Sequence, residues 1–236
     1  GDIEGADDDL TWSEVRLKSV AKASRDHDLS LLNKAAFHMA TGAPLMALAV
    51  YSDISRNSGH ANETIAISRL GASRIRASLG HMFDAARHAW NAHAYAIKAH
   101  QINMAIEAGT LFIELSLENA SQDAELMKEQ IKKAKPRSAD ESEPVLNVNP
   151  KDIEDIFLWC HSMLPESYSG EQRPDLRAMV SIAAKIKKLE LFSELLENPD
   201  GVEDSMLVAI VQACIEDAQL KSKWNHRLTV LTLDNL

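Results

Sequence analysis

Apolar residues recur along this chain at spacings of three and four, in blocks separated by short polar or glycine- and proline-bearing stretches. No block alternates with period two for long, so the pattern is that of amphipathic helices rather than strands. The first block, with Trp12, Val15, Leu17 and Val20, predicts a helix over 12–24. Thr11 is placed to cap it and Glu14 to complete a capping box. Residues 25–28 read as a turn, and a second helix follows over 29–41, ended by Gly42. Pro44 suits the first turn of the next helix, which runs to about residue 55, so that the two form a tight hairpin. The polar stretch 56–63 reads as a loop. A helix over 64–79 is ended or kinked by Gly80, and another runs from His81 or Met82 through at least Lys98. Its continuation to Gly109 is left open. Residues 102–117 are helical with one apolar face, and 122–135 form a helix charged on its outer side.

Pro136 halts that run. Residues 136–150 carry three prolines among small polar and charged residues and read as a linker or long loop. Beyond it the pattern predicts helices over 150–164, with Asn149 as cap and Pro150 at the first position, and over 173–187, 190–198 and 202–220. The segment 198–201, Asn-Pro-Asp-Gly, has turn chemistry, and the tail 224–236 is open between helix and strand. The expected organisation is an acidic mobile lead-in over 1–10, helical hairpins over 11–135, the linker, and a C-terminal helical segment over 151–236.

Composition agrees with an all-α reading. Of 236 residues 45% are hydrophobic but only 5% aromatic, and the abundance of Ala, Leu, Ile and Met favours helix, where such side chains lose little rotamer freedom. A formal net charge of −10 disfavours nucleic acid and anionic lipid as partners. No apolar run is long enough to span a bilayer, so membrane insertion is not expected. The acidic N-terminus is unlike a signal or transit peptide, and a cytoplasmic location is the expectation. Cys160 and Cys214 read as reduced, buried small hydrophobes; the alternative, Cys160 as a nucleophile beside His161, rests on sequence adjacency alone.

Two segments share a pattern: a glycine (Gly42, Gly80), an alanine five residues on (Ala47, Ala85), and packed residues nine and twelve on (Tyr51 and Ile54; Ala89 and Ala92). A shorter echo without the glycine begins at Lys187. The pattern resembles the hairpin centre of a tetratricopeptide repeat, over roughly residues 29–120. The spacing of Gly42 and Gly80 exceeds the roughly 34-residue period of the regular repeat, and the first-helix tryptophan and tyrosine are absent. The stretch 42–52, GxPxxALxVxS, is similar to one in DmX-like proteins that assist proton-pump assembly; it is too short to carry their function over. The implied fold is all-α: antiparallel hairpins stacked as a tetratricopeptide-like α-solenoid, or an irregular helical bundle. Burial of Phe37, Met39, Leu45, Leu48, Tyr51, Leu70, Ile75, Leu79, Phe83 and Trp90 is expected to hold it together, with a groove lined by the helices over 29–41 and 64–79.

Candidate chemistry is sparse. His81, Asp84 and His88 share one helix face and are the metal-ligand candidates; the plainer reading is a polar face with an Asp84–His88 pair. His93, His100 and Glu107 recur at seven-residue intervals, too far apart along a helix for one ion, and could form a pH-sensitive stripe. Arg69, Arg74 and Arg76 with Arg87 form a basic cluster suited to gripping acidic peptide segments, as first-helix side chains do in the repeat class. A second cluster, Lys128, Lys132, Lys133, Lys135 and Arg137, is interleaved with acids and reads as a solvated face. No phosphate-binding, dinucleotide, serine-hydrolase or zinc motif occurs. The expected function is therefore a protein-interaction scaffold or assembly subunit, not an enzyme, with no cofactor, other proteins as partners, and self-association open. Alternatives are a structural protein of a coat, capsid or nucleoprotein, and a helical metal-dependent enzyme using the histidine face.

Overall fold

A computed structural model describes residues 2–21, 24–56, 59–120, 150–164 and 176–192. Eight α-helices and one short 3₁₀ turn make up these segments, with no strand among the described residues. Two compact units divide the chain, at 1–172 and 173–236.

In the first unit the helices are α1 (Ile3–Ala21), α2 (Arg25–Ala40), α3 (Pro44–Arg56), α4 (Asn62–Ser78), α5 (Met82–Lys98), α6 (Ile102–Ala120) and α7 (Pro150–Ser162). Each packs on its sequence neighbours, and α4 also touches α2 and α6. This is an up-and-down stack compatible with the helical-repeat class. α7, which the sequence reading set beyond the linker, packs on α6.

The reversals explain the order. Gly42, Gly80 and His100 stand just past the ends of α2, α4 and α5 with φ of 75°, 77° and 56°. At each, the N–H of the next residue bonds five residues back: Ala43 to the His38 carbonyl (2.8 Å), His81 to Arg76 (2.9 Å) and Gln101 to Ala96 (2.9 Å). These are Schellman closures, which satisfy orphan carbonyls and turn the chain at once. Gly80 therefore ends its helix, and the run from Met82 stops at Lys98 rather than reaching Gly109.

Counted from each hinge, the same positions are buried. Five residues on stand Ala47, Ala85 and Ala105, and twelve on stand Ile54, Ala92 and Phe112, all at most 1% exposed. The shared glycine pattern thus marks equivalent structural positions, and His100 adds a third. With alanine at the crossings, helix backbones approach closely. Ala66, Ala96 and Ala105 join α4, α5 and α6, as do Leu70, Ala92 and Ala108; Ala35, Ala47, Ala72, Tyr51 and Ile75 join α2, α3 and α4. Of the expected core, Tyr51, Leu70 and Ile75 are buried, and Phe37, Leu48, Phe83 and Trp90 are half-buried. Met39, Leu45 and Leu79 are exposed, because they flank hinges that no helix among the described residues covers.

The N-terminal third departs from the sequence reading. α1 starts at Ile3, so most of the acidic lead-in is helical; the Asp2 carboxylate accepts from the Gly5 N–H (2.9 Å) and caps it. Thr11 accordingly lies mid-helix. Residues 25–28 are the first turn of α2, capped by the Ser24 hydroxyl oxygen, which accepts from the His27 N–H. Acidic Asp26 and Asp28 then sit at the positive end of the helix.

In the second unit, α8 (Leu176–Lys185) is followed by a 3₁₀ turn (Leu189–Phe192). Lys187 takes φ of 60° and the Lys188 N–H bonds the Ala183 carbonyl (2.7 Å), so the glycine-free echo is also a hinge. Met179, Val180, Ile182 and Phe192 are buried. The helices expected over 122–135 and 202–220, the Asn149 cap, most of the linker, the turn at 198–201, the second basic cluster and Cys214 lie outside the described residues.

His100 is a non-glycine residue held exposed in the left-handed region, which costs an L-residue roughly 1–2 kcal/mol. His100→Gly is therefore expected to raise stability by about 1 kcal/mol in urea unfolding. Gly80→Ala, which meets no neighbouring atom, is expected to lower it by about the same amount. Ala85→Leu overpacks a closed crossing and is expected to cost about 1–3 kcal/mol.

Candidate functional site

The arginine cluster separates once α4 is built. Arg69 and Arg76 lie two turns apart on the α5 side, whereas Arg74 turns toward α6 and pairs with Glu107. Arg76 reaches Asp84 across the Gly80 hinge (3.1 Å), and Arg87 shares that carboxylate (3.5 Å). Arg69 donates to the Ser55 carbonyl (3.4 Å) and lies 3.4 Å from Nδ1 of His88. The acids balancing this cluster, Asp84 and Glu107, stand on α5 and α6.

His88 is 5% exposed. Burial, then the Arg69, Arg87 and Arg76 guanidiniums, push its imidazole down to about 2. The Asp84–His88 pair read from sequence gives way to Asp84 with two arginines. A cation would be repelled beside His88, and His81 stands exposed at the start of α5. Among the described residues no three His, Cys, Asp or Glu side chains group as metal ligands.

The seven-residue stripe is dispersed by the hinge at His100. His93 is buried in α5, where its Nδ1–H donates to the Ala105 carbonyl (2.7 Å) and its ring stands edge-on to Trp159 of α7 (4.9 Å). Burial lowers its pKa. Gly109 lies against this ring: a Cβ there would come within 3.0 Å of His93 Nδ1 and 2.8 Å of the Cys160 sulfur. Cys160 is buried, and burial raises its thiol to about 12, so it stays protonated and fits the small-hydrophobe reading rather than the nucleophile.

One further cluster lies outside the residues the sequence singles out. Asp28, in the first turn of α2, accepts from His60 Nδ1–H (2.5 Å) and from the Ala61 N–H (3.1 Å), and also bonds the Thr64 side chain. Ala61 is the N-cap of α4 and offers no side-chain cap, so Asp28 caps α4 from a different helix. Burial alone would raise this carboxyl; the hydrogen bonds from His60, Thr64 and Ala61 outweigh it and hold the group below its usual range. His27 stacks on His60 (6.1 Å). Burial and then the neighbouring His60 lower the His27 pKa. The only hint in sequence is an alanine where a helix start normally carries Ser, Thr, Asp or Asn.

Four of the exposed large apolar side chains stand beside the Gly42 and Gly80 hinges. Met39 (44% exposed), Leu45 (63%) and Met46 (56%) surround Gly42, and Leu79 (45%) precedes Gly80. Up-and-down order sets both hinges at one end of the stack, beside the Arg76–Asp84–Arg87 group. No helix among the described residues is long and apolar enough to cross a membrane. No family model, curated protein or solved structure matches the chain.

His88, His93 and His27 have lowered folded-state pKa values, so the unfolded chain takes up protons as the pH falls below about 6.5 while the folded chain resists. Stability is thus fully present above that pH and is lost below it. His88 alone is expected to remove about 2 kcal/mol between pH 7 and pH 5. Urea unfolding at the two pH values checks this, and His88→Gln is expected to flatten the dependence.

Proposed function

We propose that this chain is a protein-interaction scaffold or a subunit of a larger assembly, working without a catalytic step. The observation that carries the reading is the hinge edge: four large apolar side chains, Met39, Leu45, Met46 and Leu79, exposed at one end of an otherwise alanine-packed stack. Exposed apolar groups that gather rather than scatter mark contact surfaces, and methionine adapts to varied partners. The partner is a protein segment offering apolar side chains with acidic neighbours, which Arg76 and Arg87 would meet at the same edge. Arg69 and Arg74 lie further from it and play a smaller part.

The disposition of the ionisable groups supports the non-catalytic side. His88, His93 and Cys160 are enclosed, and Asp28 and His60 spend their hydrogen bonds on the start of α4. The tetratricopeptide-like reading has the equivalent hinges and the alanine five residues after each in its favour.

Leu45→Glu with Met46→Glu alters two exposed positions. The melting temperature is expected to stay within a few degrees, while partners recovered by full-length bait and cross-linking fall by at least about tenfold. An unchanged partner set, with the variant folded, contradicts this surface.

A further inference from the structure

The helix α1 has two faces of different character. Leu10, Ser13, Glu14 and Leu17 turn toward α2, where Glu14 pairs with Lys34 (2.6 Å) and Ser30 bonds Ser13 (3.4 Å). The opposite face carries Trp12 and Val15, 63% and 62% exposed, one turn apart. Arg16 lies over the Trp12 ring (5.1 Å), which holds the indole along the helix surface. Charge along this outer face is divided: Glu4, Asp8 and Asp9 before Trp12, Arg16 and Lys18 after it.

We propose that α1 docks antiparallel on α1 of a second copy of this chain, with Trp12 and Val15 meeting near the two-fold axis. A two-fold through Trp12 sets Asp8 of each copy opposite Arg16 of the other, with Asp9 one residue along from that pair, so one patch is complementary to itself, as an isologous contact requires. A parallel arrangement would oppose acid to acid and is excluded. Anionic lipid is disfavoured for the same reason, since Glu4, Asp8 and Asp9 would face it. This interface is independent of the hinge edge, which lies at the α2–α3 and α4–α5 turns.

Sedimentation of the full chain from about 1 to 100 μM is expected to show a reversible monomer–dimer equilibrium that weakens with salt. Trp12→Ser with Val15→Ser is expected to raise the dissociation constant more than about tenfold. The decisive arms are Asp8→Arg with Asp9→Arg in one variant and Arg16→Asp with Lys18→Asp in another. Each alone is expected to be monomeric, and their mixture to form heterodimers. A wild-type chain monomeric throughout, a dimer indifferent to the Trp12 and Val15 changes, or charge variants that fail to pair on mixing would overturn the proposal. Capture of another protein by α1 without dimerisation would overturn it too.

Discussion

The left-handed hinge followed five residues later by alanine is the constraint on which the stack depends. The hinge reverses the chain within three residues and settles the carbonyls a helix end leaves open. The alanine then decides how near the returning helix can come. Neither works alone: a tight reversal into a bulky crossing would collide, and a small crossing after a loose loop would leave a void. At Gly42, Gly80 and His100 the two occur together, with Ala47, Ala85 and Ala105 fully buried.

A core built on alanine buries little apolar area per residue, about 0.8 kcal/mol for each methylene-sized group. Polar side chains therefore take structural parts. Ser73 donates to the Ala85 carbonyl (2.7 Å) across the α4–α5 crossing, His93 joins α5 to α6, and Asp28 ties α2 to the start of α4. Each buried polar group with such a partner avoids the cost of an unmade bond and fixes register as well. The same choice makes the fold sensitive to acid, because the enclosed imidazoles must stay neutral.

Much of the fold was legible. Helix class followed from three- and four-residue spacing, and Gly42, Pro44 and Gly80 marked one hairpin and the end of another helix to within a residue or two. His100 was missed because a histidine gives no left-handed signal, although Ala105 and Phe112 fall where Ala85 and Ala92 do after Gly80. The start of α1 was misread because its acidic residues look like a mobile tail, yet Asp2 caps the helix and acids suit its first turn. Core membership does not follow side-chain size alone: Met39, Leu45 and Leu79 flank hinges and stand exposed, whereas the crossing alanines and larger residues away from the hinges, such as Ile54, Leu70 and Phe112, are buried. The arginines were visible but their pairing was not, since Arg76 meets Asp84 only across the Gly80 hinge and Arg74 meets Glu107 only after two reversals. Asp28 and His60 could not be joined from sequence, having been read as turn and loop.

Function follows from what the hinges leave uncovered, so the placement of the crossings comes first. Alanine-methyl-labelled protein observed by NMR tests that placement most directly. Ala66, Ala96 and Ala105, from three different helices, share one cluster, and cross-peaks among their methyl groups are expected, together with a positive φ at His100. Missing cross-peaks among these methyls, or a helical φ at His100, would contradict the hinge-and-alanine account.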